Sequence, residues 1–357
     1  MVTRLALLAL VLAACGDNLE PCGPENFCSR LSGWHLFDDI EKQAPAPGVV
    51  PYDVNTPLFS DYATKDRFLV LPQGEPATWT DHDALDLPVG TLLVKTFSYL
   101  KDRRDPTLGR TLLETRVLVH GDAGWHGASY VYDHDGHDAT LQIAGDLLDE
   151  SWIHDDGSER TNEYVVPNEN QCKNCHAEHD NVLSPLGPKV RHLNKAGQLE
   201  AMIADGSLVG APDPSTWMRA PDAFDPSSGT LDQRARAWLD INCGHCHNPT
   251  GAARTSGLFL DVLETSPAVF GVCKPPVATG RGSGGLQFDI VPGKPDESIL
   301  VYRISSTEPE IKMPELGRNL VHAEGVALIR EWIASMTGGC SGFAAGHGQP
   351  PGQRARS

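Results

Sequence analysis

Thr91-Leu92-Leu93-Val94-Lys95-Thr96-Phe97 is dominated by β-branched, aliphatic and aromatic side chains, which suit a pleated, half-buried strand. Three runs of the same kind flank it: Arg67-Phe68-Leu69-Val70-Leu71 before, then Thr115-Arg116-Val117-Leu118-Val119 and Ala128-Ser129-Tyr130-Val131-Tyr132 after. Asp135-Gly136 and Asp156-Gly157 supply tight-turn signals between such runs. Residues 51–166 therefore read as an antiparallel β-rich domain, with a sandwich or jelly-roll as its expected form. Within it, Asp133-His134-Asp135-Gly136-His137-Asp138 is read as an exposed hairpin turn, because it departs from the ligand spacing of a calcium loop.

Upstream, Met1-Val2-Thr3-Arg4, the apolar run from Leu5 to Ala14 and Cys15-Gly16-Asp17 have the charge, apolar length and small-residue site of an export signal over residues 1–14. The run is too short to span a bilayer. Residues 15–50 are rich in Pro, Gly and charge and read as a tether with a small knot stapled at Cys22 and Cys28. Downstream of Pro167 the character changes. Residues 167–229 hold an Asn-rich stretch, a helical candidate near Lys195 to Asp205, and a Pro- and Asp-rich link from Ala211 to Ser228. In residues 230–340, Thr230-Leu231-Asp232-Gln233 has the capping-box form and predicts a helix start. Leu231, Ala235, Trp238 and Leu239 fall near one face of that helix, and Val326, Ile329, Ile333 and Met336 mark a last helix that should close over it. Residues 341–357 read as a disordered tail.

The chemistry-bearing motifs are two Cys-x-x-Cys-His pentads, Cys172-Lys173-Asn174-Cys175-His176 and Cys243-Gly244-His245-Cys246-His247. This spacing lets two thiols add to one haem while the adjacent His binds its iron, so two covalently bound haem c groups are the expected cofactors. A four-thiolate zinc site is the chemical competitor, but it needs no His directly after the second Cys. A thioredoxin-like site lacks its βαβ surroundings.

Nine cysteines divide into Cys15, the four pentad thiols, and Cys22, Cys28, Cys273 and Cys340. The last four suit an oxidising compartment and allow three pairings. Cys22 with Cys28 and Cys273 with Cys340 are favoured, because each pair lies within or beside one sequence-defined region. A net charge of −18 argues against nucleic acid as a partner.

Leu12-Ala13-Ala14-Cys15 resembles the lipobox of bacterial lipoproteins, which implies cleavage before Cys15, its lipidation and a membrane anchor. The absence of Asp directly after Cys15 favours the periplasmic side of the outer membrane over the inner membrane. The second pentad with its surroundings, from Ala235-Arg236-Ala237-Trp238 through Cys246-His247-Asn248-Pro249 to Lys312-Met313-Pro314 and Glu331-Trp332-Ile333, resembles class I cytochrome c. That resemblance implies His247 as proximal and Met313 as distal ligand. After His176, Leu186-Gly187-Pro188 resembles the Gly-Pro element whose backbone carbonyl accepts a hydrogen bond from the proximal His. For the distal side of the first iron Met202 is the first choice, since it follows that element on a helical stretch. Met218, His179 and His192 are alternatives, His154 is a further one, and an open iron is another.

Taken with Tyr52-Asp53-Val54-Asn55-Thr56-Pro57-Leu58-Phe59-Ser60-Asp61, Pro88-Val89-Gly90-Thr91 and Ser151-Trp152-Ile153-His154, the two pentads resemble a family of bacterial dihaem c-type cytochromes. The expected fold class is multidomain α+β: the β-rich domain followed by two mainly α-helical, class I cytochrome c-like haem modules over residues 167–229 and 230–340. The expected function is electron transfer between redox partner proteins in the periplasm or at the outer membrane. A dihaem peroxidase-like enzyme with an open first haem is the alternative.

Overall fold

A computed structural model describes residues 22–176, 183–277 and 279–340. The signal segment, Cys15, His179 and the tail 341–357 lie outside the described residues. No helix among the described residues is long and apolar enough to cross a membrane.

The strands are β1 (Phe37–Asp39), β2 (Ala44–Pro45), β3 (Val49–Tyr52), β4 (Thr64–Val70), β5 (Ala77–Thr78) and β6 (Leu92–Leu100). They continue with β7 (Arg110–Gly121), β8 (Gly124–Tyr132), β9 (Ala139–Gln142), β10 (Asp146–Ile153), β11 (Glu159–Val166) and β12 (Leu208–Val209). Six of them form one antiparallel sheet in the order β3-β4-β6-β7-β8-β9. Because spatial order follows chain order, each neighbour is reached by a hairpin or a short excursion, the connection antiparallel pairing permits. Residues 133–138 form the turn from β8 to β9, tied down where Arg30 reaches Asp138 at 3.0 Å and Asp133 at 3.3 Å.

Period-two alternation splits the sheet's side chains between two faces. One face carries Phe68, Val94, Val117 and Tyr130, and the N-terminal segment covers it with Leu31 and Leu36, both buried. Trp34 Nε1 donates to the Tyr130 hydroxyl at 2.6 Å, and Gln43 Nε2 to that of Tyr132 at 2.9 Å. The described part of residues 15–50, read above as a tether, is thus one layer of the domain. Its Cys22 is bonded to Cys28.

The opposite face is shared by three partners. Leu69 and Leu93 pack with Val190, Leu193, Leu199 and Met202 from α2 (Val190–Leu193) and α3 (Gln198–Ala204), which follow α1 (Glu169–His176). Phe97 packs with Trp152 and Tyr164 of the β10-β11 hairpin. Between these two apolar zones lies a charged middle.

The expected fold class is corrected by this arrangement. Among the described residues, instead of a sandwich or jelly-roll of two large facing sheets there is one six-stranded sheet with three two-stranded ones, and instead of two mainly helical haem modules there are six short helices in a β-rich chain. In 167–229 the helices run only eight, four and seven residues. Helices so short bury too little to close a core alone, so α2 and α3 complete the sheet's core, and β12 pairs in parallel with β5. In 230–340, α4 (Leu231–Leu239), α5 (Ile299–Ile304) and α6 (Ala323–Ser335) surround long irregular connections. The stretch between α4 and α5 is studded with Gly and Pro, including Pro249, Gly251, Gly257, Pro267, Gly271, Pro275 and Pro276, which remove helix donors and raise the entropic cost of helix.

Within that region the capping box forms as its spacing predicts: Gln233 N donates to Thr230 Oγ1 at 3.2 Å and Thr230 N to Gln233 Oε1 at 2.9 Å. Helix α6 packs on α4 through Trp238, Leu239, Ile329, Trp332 and Ile333. Gly325 permits this approach, since a Cβ there would stand 2.5 Å from Cζ2 of Trp238. A disulfide joins Cys273 to Cys340 across the same region.

Overpacking a close helix contact typically costs about 1–3 kcal/mol. Gly325→Val is therefore expected to lower the urea midpoint by that amount of stability with an unchanged transition slope; a wild-type midpoint would contradict the packing described.

Candidate haem-attachment site

Helix α1 begins with a cap absent from the sequence reading: Gln171 N donates to Asn168 Oδ1 at 3.0 Å, while Asn168 N donates to Gln171 Oε1 at 2.9 Å. Asn168-x-x-Gln171 has the capping-box spacing with Asn in place of Ser or Thr, a signal that was there to be found. Once the helix starts at that point, Cys172, Cys175 and His176 stand at i, i+3 and i+4 and share one face. Lys173 and Glu169 pair on another at 2.8 Å.

The second pentad is presented differently. Helix α4 runs into a wider helical turn over Asp240–Gly244, after which Cys246 N and His247 N both donate to Cys243 O, at 3.1 and 2.9 Å. The turn then closes so tightly that a Cβ on Gly251 would clash with Cys246 O. All four pentad cysteines are free thiols, and all are partly buried.

Both proximal-type histidines are oriented by backbone carbonyls. His176 Nδ1 donates to Ser184 O at 3.1 Å and His247 Nδ1 to Leu258 O at 3.1 Å. A carbonyl only accepts, so Nδ1 carries the proton and Nε2 keeps a lone pair for a metal. Burial lowers the basicity of both rings, to about 3 for His176 and about 4 for His247, which leaves them neutral at pH 7. For the first pentad the acceptor is Ser184, upstream of the expected Gly187-Pro188.

Sequence gives no hint of what the fold does next. Cys175 Sγ, Cys246 Sγ and a ring nitrogen of His245 lie within 4.8 Å of one another, so the two pentads meet. The proximity of the two thiols draws the Cys175 thiol down and pushes Cys246 up. Burial is the main cause that raises Cys172 and raises Cys243 to about 12, against the opposing charges of Arg116 and Arg318. His245 Nδ1 is buried without a hydrogen-bond partner among the described residues.

A buried ion pair sets this meeting. Arg191 of α2 donates through Nε to Asp240 Oδ2 at 2.8 Å and through Nη2 to Oδ1 at 2.9 Å, and His192 Nε2 lies 3.0 Å from Oδ2. Asp240 heads the turn that carries Cys243, so α2 is fastened to the second pentad. These hydrogen bonds overcome the burial penalty and hold the Asp240 carboxyl far below the usual carboxylate range.

Met313 is half-buried on a loop pinned by its backbone. Its N donates to Arg303 O at 3.1 Å, and its O accepts from Arg318 Nε at 3.0 Å and Nη2 at 2.7 Å. Arg318 is only 4% exposed and also binds the carbonyls of Ser306 and Leu320, at 2.9 and 3.0 Å. From the β-rich part, the buried carboxylate of Asp61 accepts from Asn319 N at 2.8 Å and Leu320 N at 2.7 Å. The Arg318 charge reaches Cys243 and that of Arg303 reaches His247, so the loop lies beside the second pentad.

The residues expected on the distal side of the first pentad are engaged elsewhere. Met202 is 5% exposed and packed among Leu69, Leu93, Leu199 and Leu208, a cluster that contains no pentad residue. His192 is engaged by Asp240, Met218 contributes its carbonyl to Asn194 Nδ2 at 3.2 Å, and His154 sits with Trp152, Asp155 and Glu324. Sequence reading also passed over Arg191, Asp240, Asp61 and Arg318, whose partners are too distant along the chain to leave a local pattern.

Comparison of the chain with models of protein families, with curated proteins and with solved structures finds no match.

Removing one partner of a buried ion pair strands the other charge, at a cost of about 3–5 kcal/mol. Asp240→Asn is expected to lose that much stability in urea unfolding, and a loss under 1 kcal/mol would show that the pair does not hold α2 to the turn. Beside it, His322 stacks on Phe59 with ring centroids 4.2 Å apart and accepts from Trp238 Nε1 at 3.2 Å; burial lowers it from 6.5 to about 3. The unfolded chain takes up this proton near pH 6.5 and the folded one only near 3, so stability present above pH 6.5 is lost as pH falls through that window. His322→Gln keeps the acceptor and should flatten the stability-against-pH curve between pH 6.5 and 4, whereas an unchanged slope would mean the ring titrates freely in the folded chain.

Proposed function

We propose that this chain is an exported dihaem c-type cytochrome that passes single electrons between redox partner proteins. The observation that carries the reading is the pairing of two Cys-x-x-Cys-His motifs in contact, each with a neutral His held by a carbonyl at Nδ1 and free at Nε2. Cys172 and Cys175 would hold one haem and Cys243 and Cys246 the other. His176 and His247 would each bind one haem iron, and Met313 would be the second protein ligand of the iron bound by His247. A bound haem supplies a one-electron iron couple.

The chain's own residues do the rest. Burial keeps His176 and His247 unprotonated at neutral pH, and the carbonyls of Ser184 and Leu258 orient their rings. Arg318 and Asp61 hold the Met313 loop, so the soft thioether is supplied from a rigid backbone. The ion pair Arg191–Asp240 keeps the two attachment sites adjacent, which suits transfer from one redox centre to the next. Lipidation at Cys15 and residence on the periplasmic side of the outer membrane belong to the same proposal.

One observation favours a second reading, peroxide turnover at the first haem. Met202 is committed to the core and His192 to Asp240, which takes both away from His176. Electron paramagnetic resonance separates the two readings: low-spin signals from both irons support transfer, whereas a high-spin first iron with peroxide turnover supports catalysis.

Expressed for export together with haem-attachment machinery, the chain is expected to stain for haem after denaturing electrophoresis and to carry two haems. A protein that carries no haem and holds zinc on Cys175, His245 and Cys246 would sink the proposal. Thioether ligation raises the reduction potential relative to bis-His iron. Met313→His is therefore expected to lower the midpoint potential of one haem and leave the other unchanged; two unshifted potentials would remove Met313 from the ligand set.

A further inference from the structure

The charged middle of the sheet's second face is a row of cations in register. Arg67 of β4 is the direct partner of Lys95 of β6, Lys95 of Arg116 of β7, and Arg116 of Ser129 of β8. Like charges directly opposite one another across strands repel, so the sheet alone has no reason to hold this row. Two of the three cations have a partner: Arg67 reaches Asp53 at 3.4 Å, and Arg116 Nε donates to Glu114 Oε2 at 3.0 Å. Glu114 is fully buried, and its Oε1 also accepts from the Tyr164 hydroxyl at 2.7 Å. Lys95 enters no ion pair among the described residues, where the cations of β4 and β7 that pair with acids are Arg67, Arg110 and Arg116.

The row ends at the first pentad. Ser129 Oγ donates to Pro167 O at 3.4 Å, directly before the Asn168 cap of α1. The charge of Arg116 reaches Cys172, Cys175 and His176, and that of Lys95 reaches His176. Lys95 and Arg116 thus lie near the residues that would hold the first haem, with Arg67 next in the row.

We propose that Arg67, Lys95 and Arg116 receive the carboxylate edge of the haem attached at Cys172 and Cys175, with Lys95 as the cation reserved for it. The inference rests on the dihaem reading and adds to it a purpose for the β-rich part of the chain. Two propionates bring two negative charges over a row that carries a surplus of positive charge, and charge-assisted bonds in a partly desolvated cleft are the strong kind. Burial, with Arg67 and Arg116 beside it, lowers the Lys95 ammonium to about 7 although Glu114 opposes the shift, so a further anion above the row would favour its charged form. A cation so placed opposes the extra positive charge of ferric iron. Lys95 is therefore a positioning residue that also raises the potential of one haem.

The test uses the holoprotein and reads haem content and both midpoint potentials by spectroelectrochemistry in wild type, Lys95→Gln, Lys95→Arg and a control, Lys42→Gln, on an 80% exposed side chain. All four are expected to carry two haems. Lys95→Gln is expected to shift one couple downward by about a tenfold change in its equilibrium constant, or about 59 mV for one electron. Lys95→Arg and Lys42→Gln should leave both couples in place. If Lys95→Gln fails to fold, Arg67→Gln, whose partner Asp53 is exposed, is read in the same way. Two haems with unshifted potentials in the neutralised variant overturn the inference and leave the dihaem reading intact, whereas a wild-type chain without covalent haem overturns both.

Discussion

The carboxylate of Asp240, buried against Arg191 and His192, is the constraint on which the rest depends. Its position in the chain explains why. On one side it begins the turn that carries Cys243 and leads to Cys246 and His247; on the other, its partners belong to α2, which is packed into the sheet's core and follows in the chain the segment that carries Cys172, Cys175 and His176. An ion pair with both side chains 2% exposed is stringent, because the desolvation of each charge is compensated only in the one geometry that pairs them. Two motifs far apart in sequence are thereby brought to a single place.

The β-rich part serves as more than a neighbour. Asp61, at the turn before β4, fixes the backbone of Asn319 and Leu320, and Phe59 N donates to Asn242 Oδ1 at 2.9 Å just before Cys243. Thr56 Oγ1 donates to Pro221 O at 2.8 Å in the link between the two pentad segments. The loop 53–62 therefore touches the segment after Met313, the turn before Cys243 and the link between the two pentad segments. Polar groups of this loop are buried with their partners, so moving any one segment would leave a donor or acceptor unpaired.

Much of the local structure was legible. The four apolar runs became β4, β6, β7 and β8 because alternation of side chains is a property of the strand itself. Thr230 and Gln233 cap α4 because a capping box needs only residues within one turn, and Asn168 with Gln171 shows that the same spacing carried a further helix start. The first expected helical module failed for a reason equally local to state: helices of four to eight residues do not fold by themselves, and α2 and α3 pack as a cover for Leu69 and Leu93. Met202 follows from the same fact. A thioether on a helix that closes the sheet's core is used in packing there.

By itself, the sequence determined the strands, the caps, the residue types able to bind haem and the order of thiols and imidazole within each pentad, since all of these depend on neighbours a turn or a hairpin away. Only the tertiary structure decided that the pentads meet at Cys175 and Cys246, that Arg191 and Asp240 fasten them, and that Arg67, Lys95 and Arg116 line up beside the first. The physical reason is register and burial: which cation stands opposite which, and which carboxylate is dry, are set by strand pairing and packing between residues tens of positions apart, and no short stretch of chain encodes them.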